Sequence, residues 1–223
     1  MKAIITDYDY TLSDKFMTVE LLHLLEELKV TKPGYAKDYI ELKKQYDDGV
    51  VNYNDFVKND QFFLQKYLKG VEYVDVLRVV RESLNPEKNL FEWSKEIRSI
   101  FNEKDWMFII ISSTMGFCIE QLQDELEFDT YLASSYEVKQ GVFTGEFSCQ
   151  VKKEQKAKYV ENLKPSFEKI VVVGDAPGDF GMLELADSAF LFEPNEKTLA
   201  EKGDLKCKIV DRNNIVDYLE QEL

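Results

Sequence analysis

The apolar residues of this chain follow two rhythms. Residues 2–6 form a short apolar, β-branched run that stops at the charge of Asp7, the pattern of a buried strand. From about residue 13 to 84 the spacing becomes helical. Leu21, Leu24, Leu25 and Leu28 fall at i, i+3, i+4 and i+7, and Tyr35, Tyr39, Leu42 and Tyr46 nearly repeat that spacing. Tyr53, Phe56, Val57, Leu64, Tyr67 and Leu68 make a third stripe, and Val76, Leu77 and Val80 a fourth, so this block predicts a small helical bundle with no strand. Asn85, Pro86 and Glu87 read as an N-cap, a proline at the first helical position and a first-turn acid, which predicts a helix running to about Lys104.

Strands and helices then alternate. Strands are predicted over residues 107–111, 130–133, 169–173, 189–192 and 207–210, with helices over 117–127 and 153–163 and from about 214. Residues 142–147, with Thr144 and Gly145 inside, predict a hairpin. Continuous apolar strands joined by helices imply an α/β fold with a mainly parallel sheet, whose ligands gather at the carboxyl ends of the strands. The expected division is a Rossmann-like core from residues 1–13 and 86–223, with an all-α segment, residues 14–85, inserted after the first strand.

The 223 residues are 44% hydrophobic and 31% charged, an ordinary globular composition that excludes a disordered or low-complexity chain. Against 28 basic residues stand 42 acidic ones, and the resulting charge of −14 argues against nucleic acid and anionic membranes as partners. With no run of 18 apolar residues and no secretory h-region, the expectation is a soluble, cytoplasmic protein. Cys118, Cys149 and Cys207 are too scattered for a zinc site and read as reduced thiols.

The residues able to do chemistry cluster just after the strong strands. Asp7-Tyr8-Asp9-Tyr10-Thr11 comes after the first, Ser112 and Ser113 after the second, and Gly174-Asp175-Ala176-Pro177-Gly178-Asp179 after the third. Taken singly, each reads as a solvated turn or an N-cap. Their conjunction at predicted strand ends, preceded in the last case by the lysine-rich residues 152–158, is harder to assign to ordinary turns. Carboxylates gathered this way repel unless a lysine or a divalent cation neutralises them, and all-oxygen ligands suit Mg²⁺.

This set resembles the haloacid dehalogenase superfamily of phosphohydrolases. Its first motif, Asp-x-Asp-x-Thr, matches Asp7, Asp9 and Thr11; the second, an apolar strand ending in Ser or Thr, matches Ser112; the motif lysine is best met by Lys156, ahead of Lys153; and Gly-Asp-x-x-x-Asp matches Gly174, Asp175 and Asp179. The helical insertion resembles a C1-type cap, and Thr144, Gly145, Cys149 and Lys156 resemble the phosphoserine-phosphatase-like branch. The resemblance implies a cap that closes over the strand ends, Asp7 as the nucleophile on phosphorus, Asp9 as general acid and base, and Thr11 orienting the loop. It also implies Ser112 as a donor to phosphate at a helix N-terminus, Lys156 as a neutralising cation, and Mg²⁺ held by Asp7, Asp175 and the Asp9 backbone carbonyl, with Asp179 in support. The implied function is Mg²⁺-dependent hydrolysis of a small phosphorylated metabolite. A phosphotransferase or phosphomutase using the same intermediate, and a catalytically idle phosphoacceptor protein, are the alternatives.

The chain departs from the family at several positions. Tyr10 stands where Gly or Ser is usual, a bulky ring beside the site with Ser113 as a further neighbour. The family's phosphoserine phosphatases carry a Glu where Phe16 stands and an Arg near Asp60, and both replacements argue against phosphoserine. Asp60 shares the apolar stripe of its helix, so it is either a partly solvated edge residue or an acid facing a wet cavity. In the second case, with Phe16, Tyr46, Tyr53 and Phe56 around it, it favours a cationic or apolar leaving group. His23 reads as a flank residue and the tyrosines of the bundle as core.

Overall fold

The structure, a computed structural model, describes residues 1–101 and 105–223. In chain order its first elements are β1 (Lys2–Thr6), α1 (Met17–Glu27), α2 (Tyr35–Asp47), α3 (Tyr53–Leu68), α4 (Tyr73–Val79), α5 (Glu92–Ile100), β2 (Trp106–Met115), α6 (Gly116–Ile119) and α7 (Gln123–Leu126). Then come β3 (Thr130–Lys139), β4 (Val142–Cys149), α8 (Lys153–Leu163), β5 (Lys169–Gly174), α9 (Phe180–Leu185), β6 (Ser188–Phe192), α10 (Glu196–Glu201), β7 (Lys208–Val210) and α11 (Ile215–Glu220). The fold is α/β, with strand order β4-β3-β2-β1-β5-β6-β7. Among the described residues no helix is long and apolar enough to cross a membrane.

Two compact units make up the chain. One comprises Met1–Lys15, Glu87–Ala133 and Val151–Leu223; the other comprises Phe16–Pro86 and Ser134–Gln150. In the first, β1 is central and runs parallel to both β2 and β5, with Thr6 level with Ile110 on one side and Val173 on the other. Ile5, Ile109, Val172 and Leu191 are wholly buried in one core cluster, as expected for strands covered on both faces. This register brings the ends of β1 and β5 together, and the Asp7 amide donates to the Val173 carbonyl at 3.0 Å.

The second unit is helical, and α1 and α2 are tied by a side chain. Glu26, near the end of α1, accepts from the Gly34 and Ala36 amides at 2.5 and 2.8 Å, occupying donors that the start of α2 leaves unpaired. Asn52 caps α3 by accepting from the Asp55 amide at 2.9 Å. The segment Ser134–Gln150 joins this unit, whereas the sequence expectation kept it in the core. The reason is backbone pairing that local patterns do not reveal: Gly70 donates to the Phe143 carbonyl, Phe143 to Val71, and Tyr73 to Gly141, at 2.9, 2.9 and 2.7 Å.

Several local expectations are corrected. The hairpin turns at Gln140 and Gly141, both left-handed at φ 53° and 84°, so Thr144 and Gly145 lie inside β4 rather than in a turn. Gly145 serves close approach instead: a Cβ there would stand 3.1 Å from the Gln65 carbonyl oxygen of α3. The helix expected from Asn85 is broken. Asn85 is left-handed, residues Pro86–Asn89 form a 3₁₀ turn, Leu90 bridges Ser13, and α5 starts only at Glu92; the expected end at Lys104 lies outside the described residues. Residues 117–127 split into α6, a 3₁₀ turn and α7.

Candidate active site

The turn after β1 places the first two carboxylates. The Tyr8 carbonyl accepts from the amides of Thr11, Leu12 and Ser13 at 3.2, 2.9 and 3.1 Å, folding Asp7–Thr11 into a tight loop. Tyr10 sits in the left-handed region at φ 57°, which explains why a residue with little or no side chain suits this position. Its ring is 50% exposed, so the strain is taken without burying bulk. Asp7, Asp9 and Thr11 are all buried.

The loop after β5 brings in the next two. Gly174 ends the strand because nothing larger fits: a Cβ there would meet the Asp179 Cβ at 2.6 Å and its Oδ2 at 2.8 Å. Asp179 Oδ2 accepts from the amides of Asp175 and Ala176 at 3.2 and 3.3 Å, so this side chain organises the loop that carries Asp175. Thr11 donates from Oγ1 to Asp175 Oδ1 at 3.3 Å, joining the two loops.

Lys156 stands between them. Its ammonium donates to Asp7 Oδ1 and to Asp179 Oδ1, each at 2.8 Å, and the residue is only 3% exposed. Lys153, one turn earlier on α8, is exposed. Gly181 sets how near α8 lies to α9, since a Cβ there would come 2.8 Å from the Ala157 Cβ. This packing holds the helix that carries Lys156 against the loop that carries Asp179.

The electrostatics reflect crowding in a dry place. Burial first, and the Asp179 carboxylate second, push Asp7 up to about 6 against the pull of Lys156. Asp175 is raised well above the ordinary carboxylate range by burial and by Asp179 and Asp7. One oxygen of each of Asp7, Asp175 and Asp179 falls within 4.8 Å of the others. Three carboxylates against one ammonium leave a formal excess of two negative charges, which one divalent cation cancels. Asp7 and Asp175 each engage Oδ1 in the contacts above, and an all-oxygen set of this kind fits Mg²⁺.

Not every expected residue falls where the sequence pointed. Ser112 is buried but is not at a helix N-terminus: β2 continues through Met115 and α6 begins at Gly116. Its Oγ accepts from the Thr114 amide at 3.2 Å, while Ser113 is half-buried on the alternate face. Thr114, which the sequence motifs do not single out, is 1% exposed, and its Oγ1 has no partner among the described residues. The signal for it is the alternation of β2, which puts Thr114 on the same face as Ser112.

Phe16 and Asp60 belong to the helical unit. Phe16 is the half-buried N-cap residue of α1. Asp60 is 2% exposed, so it is not a solvated edge residue, and burial alone pushes it up to about 7. His23 packs edge-on against Tyr35 and Tyr39, with centroids at 5.2 and 6.1 Å.

Known proteins share this architecture. The chain is 22% identical over 225 residues to the phosphoserine phosphatase of Methanocaldococcus jannaschii, covering 98% of this chain and 97% of that one. A solved phospho-aspartyl intermediate analogue of phosphoserine phosphatase superposes with a TM-score of 0.70 at 19% identity, covering 97% and 98% of the two chains. Cytosolic 5′-nucleotidase IIIB bound to cytidine does so with a TM-score of 0.67 at 12% identity, covering 99% of this chain and 85% of that one. The family model described as haloacid dehalogenase-like hydrolase matches residues 4–184, a span holding the Asp7 loop, Lys156 and the Asp175 loop, and the chain belongs to that family of enzymes.

Proposed function

We propose that this protein is a Mg²⁺-dependent phosphatase that hydrolyses a small phosphomonoester other than phosphoserine through an aspartyl-phosphate on Asp7. The observation that carries the reading is Lys156 bridging Asp7 and Asp179 at 2.8 Å, with the Asp175 carboxylate inside the same cluster. Asp7 and Asp175, with the Asp9 backbone carbonyl and with Asp179 in support, would hold the metal. When bound, Mg²⁺ supplies positive charge to the phosphoryl oxygens and orients the phosphorus toward Asp7.

The chain's own residues then have distinct tasks. An Asp7 oxygen attacks phosphorus, the bond to the alcohol oxygen breaks, and the Asp9 carboxyl gives that oxygen its proton. The Asp9 carboxylate next takes a proton from water, whose oxygen attacks the same phosphorus. The bond to Asp7 breaks, and inorganic phosphate leaves. Lys156 offsets charge on Asp7 and the phosphoryl group, and its second contact with Asp179 fixes its position. Thr11 holds the two acidic loops in register, and Ser112, with Thr114 beyond it on β2, supplies hydroxyl donors for the phosphoryl oxygens.

The exclusion of phosphoserine rests on two replacements: Phe16 and Asp60 stand where the resemblance to phosphoserine phosphatases would place a Glu and an Arg. The net charge of −14 favours a small soluble substrate over nucleic acid or a membrane surface. The test is phosphate release from an aryl phosphate and from a panel of small phosphomonoesters, in Mg²⁺ and in EDTA. The expected result is turnover that EDTA abolishes and Mg²⁺ restores, with phosphoserine a poor substrate. Turnover indifferent to EDTA, or phosphoserine as the best substrate, would contradict the reading.

A further inference from the structure

The helical unit contains a buried acid that takes no part in the chemical steps above. Asp60, in the middle of α3, is 2% exposed, and its Oδ1 has no hydrogen-bond partner among the described residues. Phe56 lies one turn before it and Phe63 and Leu64 one turn after, so the helix places apolar side chains on either side of the carboxyl. Rings from α2 complete the surroundings. Tyr35 stacks on Tyr39 with centroids 5.8 Å apart, Tyr39 meets Phe56 edge-on at 6.3 Å, and Tyr35 meets Phe63 edge-on at 6.3 Å.

Asp60 and Tyr35 are close enough for the carboxylate to raise the phenol further than burial alone does, and the Tyr35 hydroxyl likewise has no partner among the described residues. The Gln61 Nε2 is a third buried polar atom in the same condition, although its Oε1 accepts from Gln150 at 2.5 Å. Among the described residues no lysine, arginine or histidine lowers the Asp60 carboxyl, which burial pushes up. A carboxylate in this position is costly until a cation meets it, and a leucine there would fill the same core at no such cost.

The surroundings restrict what that cation is. A hard metal ion asks for about six oxygen ligands, and one carboxylate, one amide and one phenol among rings do not supply them. An organic ammonium needs less: one acceptor for its charge and aromatic faces for its carbon shell. We propose that Asp60, with Tyr35, Tyr39 and Phe56, binds an organic ammonium group of the ethanolammonium or choline class. If the ammonium is carried by the alcohol of the phosphomonoester, this names the substrate class and rests on the phosphatase reading; otherwise it belongs to a separate small ligand.

Direct binding tests it without requiring turnover. Calorimetric titration of the full chain uses choline and 3,3-dimethylbutanol, which has the same shape without the charge. The expected result is saturable choline binding at least about tenfold tighter than the neutral alcohol, a preference lost in Asp60→Asn. Thermal unfolding verifies that the variant folds; if it does not, Phe56→Leu, which removes one ring at similar volume, is expected to weaken choline binding severalfold. Equal affinities for the two ligands, or no binding of choline or ethanolamine at tens of millimolar, would overturn the proposal. Kinetics then separate the sources. A kcat/KM for phosphocholine at least about tenfold above that for glycerol phosphate, with the ratio collapsing in Asp60→Asn, assigns the ammonium to the substrate. Choline binding accompanied by equal kcat/KM values assigns it to a separate ligand.

Discussion

In the sheet unit, three carboxylates crowd within 4.8 Å and protein groups meet each of them: Lys156 contacts Asp7 and Asp179, two backbone amides contact Asp179, and Thr11 contacts Asp175. In the helical unit one carboxylate, Asp60, is as deeply buried, and among the described residues no charged group lowers it. The first arrangement is met in part from within, by a cation and donors of the same loops and helix, and leaves two formal negative charges for a divalent cation. The second leaves its compensation to be supplied from outside. Burial of acid therefore marks two different things here, a cluster that the chain's own groups meet in large part and a lone acid that they do not, and the partners decide which.

The largest expected break in that comparison comes from Lys156→Met, which keeps the length of the side chain and removes its charge. It leaves Asp7 and Asp179 without their shared cation, and the expected loss is about 3–5 kcal/mol of stability, read by urea unfolding without added metal, with kcat/KM falling at least about 100-fold. Retained stability would mean that the ion pair contributes nothing to holding the loops.

Asp60→Asn should do the reverse. Burial raises the folded-state carboxyl from 3.8 to about 7, so the wild type has its full stability from this group below about pH 4 and loses it as pH rises through about 7. The difference in unfolding free energy, variant minus wild type, is expected to grow in the variant's favour across that window, reaching on the order of a few kcal/mol by pH 8. A difference that stays flat with pH would show that the carboxyl is not confined as the structure places it.

The smallest effect sharpens the comparison by leaving the acid alone. Asn52→Ala removes the cap of α3, whose Asn52 side chain accepts from the Asp55 amide at 2.9 Å. It is expected to cost about 1 kcal/mol at every pH, read by the same unfolding series. A cost near zero would show that the start of α3 does not depend on this cap.

Sequence patterns make the first site far more legible than the second. Asp7, Asp9, Thr11, Asp175 and Asp179 come directly after strands whose apolar runs end sharply, so the alternation of strand and helix is enough to gather them on one sheet edge. Lys156 is separable from Lys153 by period, since it shares the buried face of α8 with Val160 four residues on. Ser112 is misplaced by pattern because the apolar run of β2 stops at Ile111, while the strand itself continues through Ser112, Ser113 and Thr114 to Met115. Asp60 is visible as a polar residue on an apolar stripe, yet its nearness to Tyr35 of α2 comes from packing between helices, which the stripe does not encode. The pairing of Gly70 and Tyr73 with Phe143 and Gly141 joins segments about 70 residues apart, and no local pattern encodes such a contact.

The central claim is that Asp7 carries the phosphoryl group. The direct measurement is rapid acid quench of the enzyme during turnover of an aryl phosphate, borohydride reduction of any acyl phosphate, and peptide mass mapping. The account predicts reduction of the side chain at position 7 to the alcohol, only when substrate and Mg²⁺ are both present, and none in Asp7→Asn. Steady turnover with position 7 never reduced, or with an Asp7→Asn variant that keeps its activity, would contradict it.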